Sequence, residues 1–131
     1  MISRDEMFQP LLEVSEGFNP IWDEFIEEWK DDDELPQYLA LSDLARYISG
    51  LISESNEKEL KDIFSVIERW HLEGDDYVKE AATVGILEDL QNANVVGVGV
   101  PKKVESYLLP ESKKWWLKVY EFWETGKIIS D

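Results

Sequence analysis

The sequence contains no cysteine among its 131 residues. Disulfide bonds, thiolate metal sites and cysteine nucleophiles are therefore excluded. A chain without cysteine is also compatible with the reducing conditions of the cytosol. Histidine is almost as scarce, because His71 is the single one in the sequence. Chemistry that requires a pair of histidines is consequently excluded.

Long apolar runs are missing as well. No stretch approaches the roughly 18 consecutive apolar residues that a membrane-spanning helix requires. The first segment, MISRDEMFQPLLEV, places acidic residues beside Arg4 and has no continuous apolar core, so it lacks the pattern of a signal peptide. We therefore expect a soluble, cytoplasmic protein with no membrane association.

Basic residues are few, since 13 Lys and Arg stand against 29 Asp and Glu, for a net charge of −16. Residues 1–35 alone hold 12 acidic and 2 basic residues, whereas residues 101–131 hold 5 and 6. Such a field repels nucleic acid and anionic membranes and attracts cationic partners. Two interpretations stay open: the charge provides solubility alone, or it binds a basic protein.

Apolar and aromatic residues are present in quantity, with 44% hydrophobic residues and six tryptophans. A chain of this length and composition predicts one domain, residues 1–131, with a substantial core. The apolar residues recur at helical spacing in two clear stripes, which predicts an all-α fold of about six helices. The stripes are Trp22, Phe25, Ile26 and Trp29, and later Trp116, Val119, Tyr120 and Trp123.

The stretch from Ser55 to Leu90 predicts the centre of the fold. Ser55 or Asn56 begins a helix that Gly74 ends, and Asp75 caps the next helix after almost no linker. Two helices joined so closely are expected to pack as an antiparallel hairpin. The second helix is apolar nearly all round over residues 81–87, which is typical of a helix covered on several sides.

Local signals predict further details of the helices. Asn19 followed by Pro20 is the pattern of an N-cap and first helical position. Gly50 lies inside a predicted helix, where it either weakens the helix or marks the close approach of a neighbour. Residues 92–101 are rich in valine and glycine and predict a loop that crosses to the last elements.

No catalytic constellation emerges from the motifs. Glu68-x-x-His71 matches half of a di-iron signature, but the second histidine is missing. Asp31–Glu34 lacks the alternating ligands and central glycine of a calcium loop, so only weak cation binding stays open there. No serine has the context of a nucleophile elbow. We therefore predict no catalytic residue, metal or cofactor, and an enzyme would require a polar cleft around His71.

Two resemblances bear on fold and function. The segment from Gly74 to Ala82 resembles the start of the second helix of HEAT-type repeats, which implies a short HEAT-like antiparallel stack. The runs Tyr38–Arg46 and Ala81–Asn92, together with Pro110–Ser112 and the pair Trp115-Trp116, are similar to a family of small acidic bacterial proteins. Members of that family resemble the immunity proteins of bacterial toxin systems. The resemblance implies a protein that binds and blocks a cognate toxin.

The resulting hypothesis is a toxin-neutralising protein that uses an acidic surface against a basic protein partner. Its carboxylates would pair with lysine and arginine of the partner and accelerate association. The alternative is a small HEAT-like scaffold or adaptor without a toxin partner. The residues predicted to bind the partner are Asp23, Glu27, Asp31, Asp32, Asp33 and Glu34, followed by Asp75, Asp76 and Glu80.

Overall fold

The computed structural model describes residues 1–126 and 129, and the tail predicted to follow Gly126 otherwise lies outside them. The described residues form helices without a β-strand, so the all-α prediction is confirmed. The helices are α1 (Phe8–Val14), α2 (Asn19–Trp29), α3 (Gln37–Ser53), α4 (Glu57–Glu73), α5 (Asp76–Glu80), a π-helix (Ala81–Leu87), α6 (Glu88–Gln91), α7 (Ala93–Val96), α8 (Val100–Val104) and α9 (Pro110–Thr125). Short 3-10 turns occupy Glu16–Phe18 and Glu105–Tyr107.

The core lies where α3, α4, the π-helix and α9 meet. The apolar side chains at the centre of this contact are buried, and each large aliphatic side chain there contributes about 1.5–3 kcal/mol. Helix α1 packs on α4, and the Trp70 indole of α4 donates a hydrogen bond to the Met7 carbonyl at 2.8 Å. The buried indole nitrogen therefore has a hydrogen-bond acceptor in the core.

The link between α4 and α5 is as short as predicted. Asn56 accepts a hydrogen bond from the Glu59 amide at the start of α4, and Asp75 accepts one from the Val78 amide at 2.9 Å. Gly74 ends α4 as predicted, and it does so in an extended conformation with φ −72° and ψ 155°. A β-carbon at Gly74 would lie 2.4 Å from the Trp70 carbonyl oxygen. Glycine is needed here for space, not for its backbone freedom.

The first residues of the chain are fastened to this link. Ile2 forms an isolated parallel bridge with Gly74. The Ile2 amide donates to the Glu73 carbonyl at 2.7 Å, and the Asp75 amide donates to the Ile2 carbonyl at 2.8 Å. These hydrogen bonds hold the segment before α1 against the end of α4.

Helix α5, the π-helix (Ala81–Leu87) and α6 follow one another without a break and form the central helix of the fold. The π-helix packs against α3 and α9. Six of its seven residues are buried, so the prediction of an apolar, centrally placed helix is confirmed. Gly85 lets this segment approach α3, because a β-carbon there would lie 2.7 Å from Leu41 Cδ1. The wider turn itself was not predicted, since one extra residue per turn barely alters a pattern that is apolar all round.

Two local predictions, for Asn19 and Trp123, are wrong, and the structure decides between the two alternatives left open for Gly50. Asn19 is not an N-cap, because it is itself the first residue of α2. Its side-chain amide instead donates to the carbonyls of Leu12 and Ser15, both at 3.0 Å. Gly50 marks no close approach, since nothing lies within 4 Å of the β-carbon position. Trp123 is 55% exposed, although it continues the buried stripe of α9.

The predicted loop at residues 92–101 is also largely wrong. Asn92 caps the short helix α7 by accepting from the Asn94 amide at 3.0 Å. Gly97 and Gly99 then take positive φ values of 103° and 87°, which allows the chain to reverse into α8. The two short helices bury Val96 of α7 and Val104 of α8 in the core. Packing against α3 and α6 thus overrides the weak helix propensity of the segment.

Candidate functional site

The acidic residues predicted to bind a partner fall into two groups. The first group, here called the acidic segment, comprises side chains on α2 and on the turn that follows it. All of them are exposed, and they are Asp23, Glu27, Asp31, Asp32, Asp33 and Glu34. The second group comprises Asp75, the N-cap of α5, together with Asp76 and Glu80, the first and last residues of that helix.

Only two carboxylates of the acidic segment form ion pairs. Glu27 pairs with Lys30 at 2.7 Å, and Glu34 pairs with Arg4 at 2.6 Å. The four remaining aspartates have no ion pair within residues 1–126 and 129. Helix α2 ends at Trp29, so its C-terminal dipole adds further negative potential beside Asp31–Asp33. The segment therefore presents uncompensated negative charge.

The three residues of the second group have different environments. Asp75 is committed to the fold, because its carboxylate caps α5. Asp76 and Glu80 are exposed and line a cleft of about 690 Å³ between the α5–π-helix segment and α9. The opposite wall comes from Glu111, Lys114 and Trp115, and the remaining lining residues are His71, Lys79, Thr83, Val84 and Ile129. The cleft thus carries both signs of charge.

A buried hydrogen-bond network forms the floor of this cleft. His71 Nε2 lies 3.1 Å from the Thr83 hydroxyl, and His71 Nδ1 lies 3.0 Å from the Ile67 carbonyl and 3.1 Å from the Ser112 hydroxyl. The Ser112 hydroxyl in turn donates to Glu68 at 2.8 Å. Because the Ile67 carbonyl can only accept, Nδ1 carries the proton and Nε2 accepts from Thr83. The network therefore joins α4, the π-helix and α9.

His71 is a weak base in this setting. Burial lowers the pKa of His71 from 6.5 to about 4, although the Ile67 carbonyl and the charges of Glu68 and Glu111 act in the opposite direction. The imidazole is 4% exposed, and both of its nitrogens are occupied by the network. The polar cleft that an enzyme would require is present, but the histidine at its floor is neutral at pH 7 and serves the packing of three helices.

Glu68 provides the N-terminal cap of α9 from a different helix. No side chain of α9 or of Leu109 caps that terminus. The Glu68 carboxylate instead accepts hydrogen bonds from the amides of Glu111 and Ser112 at 3.0 and 2.8 Å. Because cap and helix are 43 residues apart, sequence patterns that look three residues ahead could not find it.

We expect Glu68→Ala to lower the free energy of unfolding by about 2 kcal/mol, since two amides and a buried hydroxyl lose a charged acceptor. Urea unfolding measures the change. The control is Glu73→Ala on the same helix, whose carboxylate has one exposed ion pair with Arg69 at 3.2 Å and should change stability by less than about 0.5 kcal/mol. Equal effects of the two substitutions would contradict the cap.

A pair of tyrosines, of which Tyr38 is exposed and Tyr77 is half-buried, lies between the two acidic groups. The rings of Tyr38 on α3 and Tyr77 on α5 have centroids 6.4 Å apart. The Arg4 guanidinium covers Tyr77 at 4.7 Å from the ring centroid, while it pairs with Glu34 and donates to the Leu35 carbonyl at 2.9 Å. Arg4 thereby connects the acidic segment to α5.

Carboxylates surround Tyr38 as well. Burial, followed by the charges of Glu80, Tyr77 and Glu88, raises the pKa of the Tyr38 hydroxyl to about 12. Burial and the neighbouring Asp89 raise the pKa of the Glu88 carboxyl, and Glu88 forms no ion pair with any described residue. A half-buried carboxylate without a cation is energetically costly, and such groups are concentrated at functional surfaces.

Sequence reasoning missed this tyrosine surface for a simple reason. Tyr38 and Tyr77 are 39 positions apart, and although each lies in a stretch that carries a resemblance, neither stretch indicates that the two rings meet. Their signal was indirect, since each interrupts a helical apolar stripe with a ring beside acidic residues. Only the packing of α3 against the π-helix brings them together.

The fold and the surface charge define an acidic, all-helical protein. Over residues 8–124 the chain matches a family described as a domain of unknown function (DUF7674), and it belongs to that family. No curated protein and no solved structure matches the chain. Since the family description names no toxin system, the predicted immunity function stays a prediction, as does the HEAT-like arrangement of the helices.

Among residues 1–126 and 129, no helix is both long enough and apolar enough to cross a lipid bilayer. In the same residues, no three histidine or carboxylate side chains converge in a way that could hold a metal ion.

Proposed function

We propose that this protein binds a basic protein partner through the acidic segment and that the partner is a cognate bacterial toxin. The observation that carries the proposal is the set of exposed aspartates on α2 and the following turn that form no ion pair with a described residue. Their mutual repulsion and the dipole of α2 oppose folding, so retaining them makes physical sense if a cationic partner compensates them.

The surroundings of the acidic segment favour binding. Phe8 stacks on Trp22 of α2 with ring centroids 4.4 Å apart, and Trp22 stacks on Phe25 at 5.5 Å. The aromatic contacts fix α2 on the body of the protein, and Arg4 fixes the turn at Glu34 and Leu35. The carboxylates are therefore held in place before the partner arrives, which lowers the entropy cost of binding.

Toxin neutralisation adds a biological role to this binding mode, and its support is the resemblance to bacterial immunity proteins over residues 20–124. The mechanism would be occlusion. The carboxylates would cover lysine and arginine side chains that a toxin needs for its own substrate, and long-range attraction would accelerate the encounter. We propose no catalytic residue and no cofactor for this activity.

The test is charge reversal of Asp31, Asp32 and Asp33 to lysine. We expect the association rate with the product of a neighbouring toxic gene to fall at least about tenfold in low salt, because steering depends on the local potential. The matched control reverses three exposed acids elsewhere, Glu13, Glu54 and Glu124, for the same change in net charge. Surface plasmon resonance at two salt concentrations measures both variants. Equal rates for the two variants would show that the acidic segment is not the interface.

The alternative function is a scaffold or adaptor without a toxin partner. Co-expression with the toxic neighbouring gene distinguishes it from toxin neutralisation. A toxin-neutralising protein restores growth of cells that express the toxic neighbour, and the triple lysine variant should restore it less well. An adaptor has no effect on growth in this assay. The experiment therefore distinguishes the two roles even if both use the same acidic surface.

A further inference from the structure

The surface of the protein already contains one complete arginine site, which its own chain occupies. The Arg4 guanidinium lies 4.7 Å from the centroid of the Tyr77 ring and 2.6 Å from the Glu34 carboxylate. Stacking on an aromatic ring together with a carboxylate is the arrangement that suits a planar guanidinium. Arg4 thus shows which ligand this part of the surface accommodates.

The neighbouring position has the same components without a guanidinium. The Tyr38 ring is 41% exposed and lies beside Tyr77, with ring centroids 6.4 Å apart. Its inner edge rests on the π-helix, where Cδ1 is 3.7 Å from the β-carbon position of Gly85. The absence of a side chain at Gly85 lets the ring approach the helix, while 41% of the residue stays exposed to solvent. We call Tyr38, Glu80, Gly85 and Glu88 the Tyr38 surface.

The charges around Tyr38 are negative. Glu80 and Glu88 both act on the Tyr38 hydroxyl, and neither forms an ion pair with a described residue. Glu88 is half-buried beside Asp89, which is itself bonded to the Ser42 hydroxyl at 2.7 Å. Asp89 is therefore already used, whereas the carboxylates of Glu80 and Glu88 are available to a ligand.

We propose that an arginine side chain of the basic protein partner stacks on Tyr38 and forms ion pairs with Glu80 and Glu88. The inference rests on the proposed function and adds to it a specific anchor next to the acidic segment. Arginine fits better than lysine, because a guanidinium is planar, can pair with two carboxylates and loses less hydration on an aromatic ring. Tyrosine and arginine are also enriched among the residues that dominate interface energies.

The experiment compares two probes, hexa-arginine amide and hexa-lysine amide, which have equal charge. Their affinities for the full chain are measured by isothermal titration calorimetry, with amide shifts of residues 38 and 85 followed by NMR. We expect the arginine peptide to bind about fivefold more tightly than the lysine peptide. The variant Tyr38→Leu should abolish that preference, whereas Tyr38→Phe, which keeps the ring, should retain it.

The outcomes separate this inference from the proposed function. If the native protein shows no preference for arginine, or if Tyr38→Leu keeps the preference, the Tyr38 surface is not an arginine site. If the preference is absent while reversal of Asp31, Asp32 and Asp33 weakens both peptides, the acidic interface stands and the Tyr38 inference falls. If the preference depends on Tyr38 but the toxin still associates normally with the triple lysine variant, the arginine site stands and the acidic segment is excluded as the interface.

Discussion

Replacing Gly74 by alanine is expected to lower the free energy of unfolding by about 3 kcal/mol, a large part of the stability of a domain of this size. The new β-carbon would lie 2.4 Å from the Trp70 carbonyl oxygen and 2.5 Å from Val78 Cγ1. The first of these atoms belongs to the backbone of α4 and cannot rotate away. Relief therefore requires α4 and α5 to move apart.

The conformation of Gly74 makes the cause of this effect unambiguous. Its φ of −72° and ψ of 155° are favourable for alanine, so the substitution causes no backbone strain. Any separation of α4 from α5 also disturbs the bridge to Ile2 and the Asp75 cap, which adjoin Gly74. The loss of stability would therefore be caused by steric overlap, and it would include the hydrogen bonds that adjoin Gly74.

Gly50→Ala is the matched control. Gly50 is exposed inside α3, and nothing lies within 4 Å of the β-carbon position. The same substitution there should raise the free energy of unfolding by about 1 kcal/mol, because alanine favours the helix. Chemical denaturation measures the free energy of unfolding of both variants, and the two changes should have opposite signs. A small effect at Gly74 would mean that the junction adapts more easily than its geometry indicates.

Acidification is expected to destabilise the protein through His71, by about 3 kcal/mol between pH 6.5 and pH 4. The folded protein holds His71 neutral with a pKa of about 4, whereas the unfolded chain takes up a proton with a pKa of 6.5. Over that interval the unfolded state binds more protons, so lowering the pH favours unfolding. Below about pH 4 both states are protonated and the loss is complete.

The measurement compares the native protein with His71→Asn, which keeps a hydrogen-bonding side chain but cannot titrate. The other groups near the imidazole are Glu68 on α4, Asp76, Lys79 and Glu80 on α5, and Glu111 and Lys114 on α9, and the variant retains all of them. Urea unfolding at pH 7 and at pH 4 gives the pH dependence of each protein. The native protein should lose more stability than the variant, and parallel losses would rule out His71 as the cause.

The sequence predicted the elements that depend on local patterns. The cap at Asp75 follows from signals within a few residues, and the structure has it in place. Buried stripes are also local, which explains why Phe25, Trp116 and Val119 were placed correctly in the core. Periodicity predicts a buried side only where another element covers it, and the described residues leave 55% of Trp123 exposed.

The features of the candidate site depend on contacts that no local pattern contains. Glu68 caps a helix that begins 42 residues later, and Arg4 reaches both Glu34 and Tyr77. The exposed charge of the acidic segment was visible in composition, but the tyrosines beside it were not. Composition locates charge along the chain, and only packing determines which charges share a surface.

The π-helix has a consequence for how this family can vary. Before it, Asp76 lines the cleft toward α9, and after it Glu88 and Asp89 lie toward α3, whereas Glu80, directly before the π-helix, lines the cleft and also acts on the Tyr38 hydroxyl. A single continuous helical segment thus contributes to two different surfaces, and its wider turn sets the rotation between them. Natural substitutions at one end of the segment can change one surface while the other is preserved. The two surfaces are therefore free to evolve at different rates within one helix.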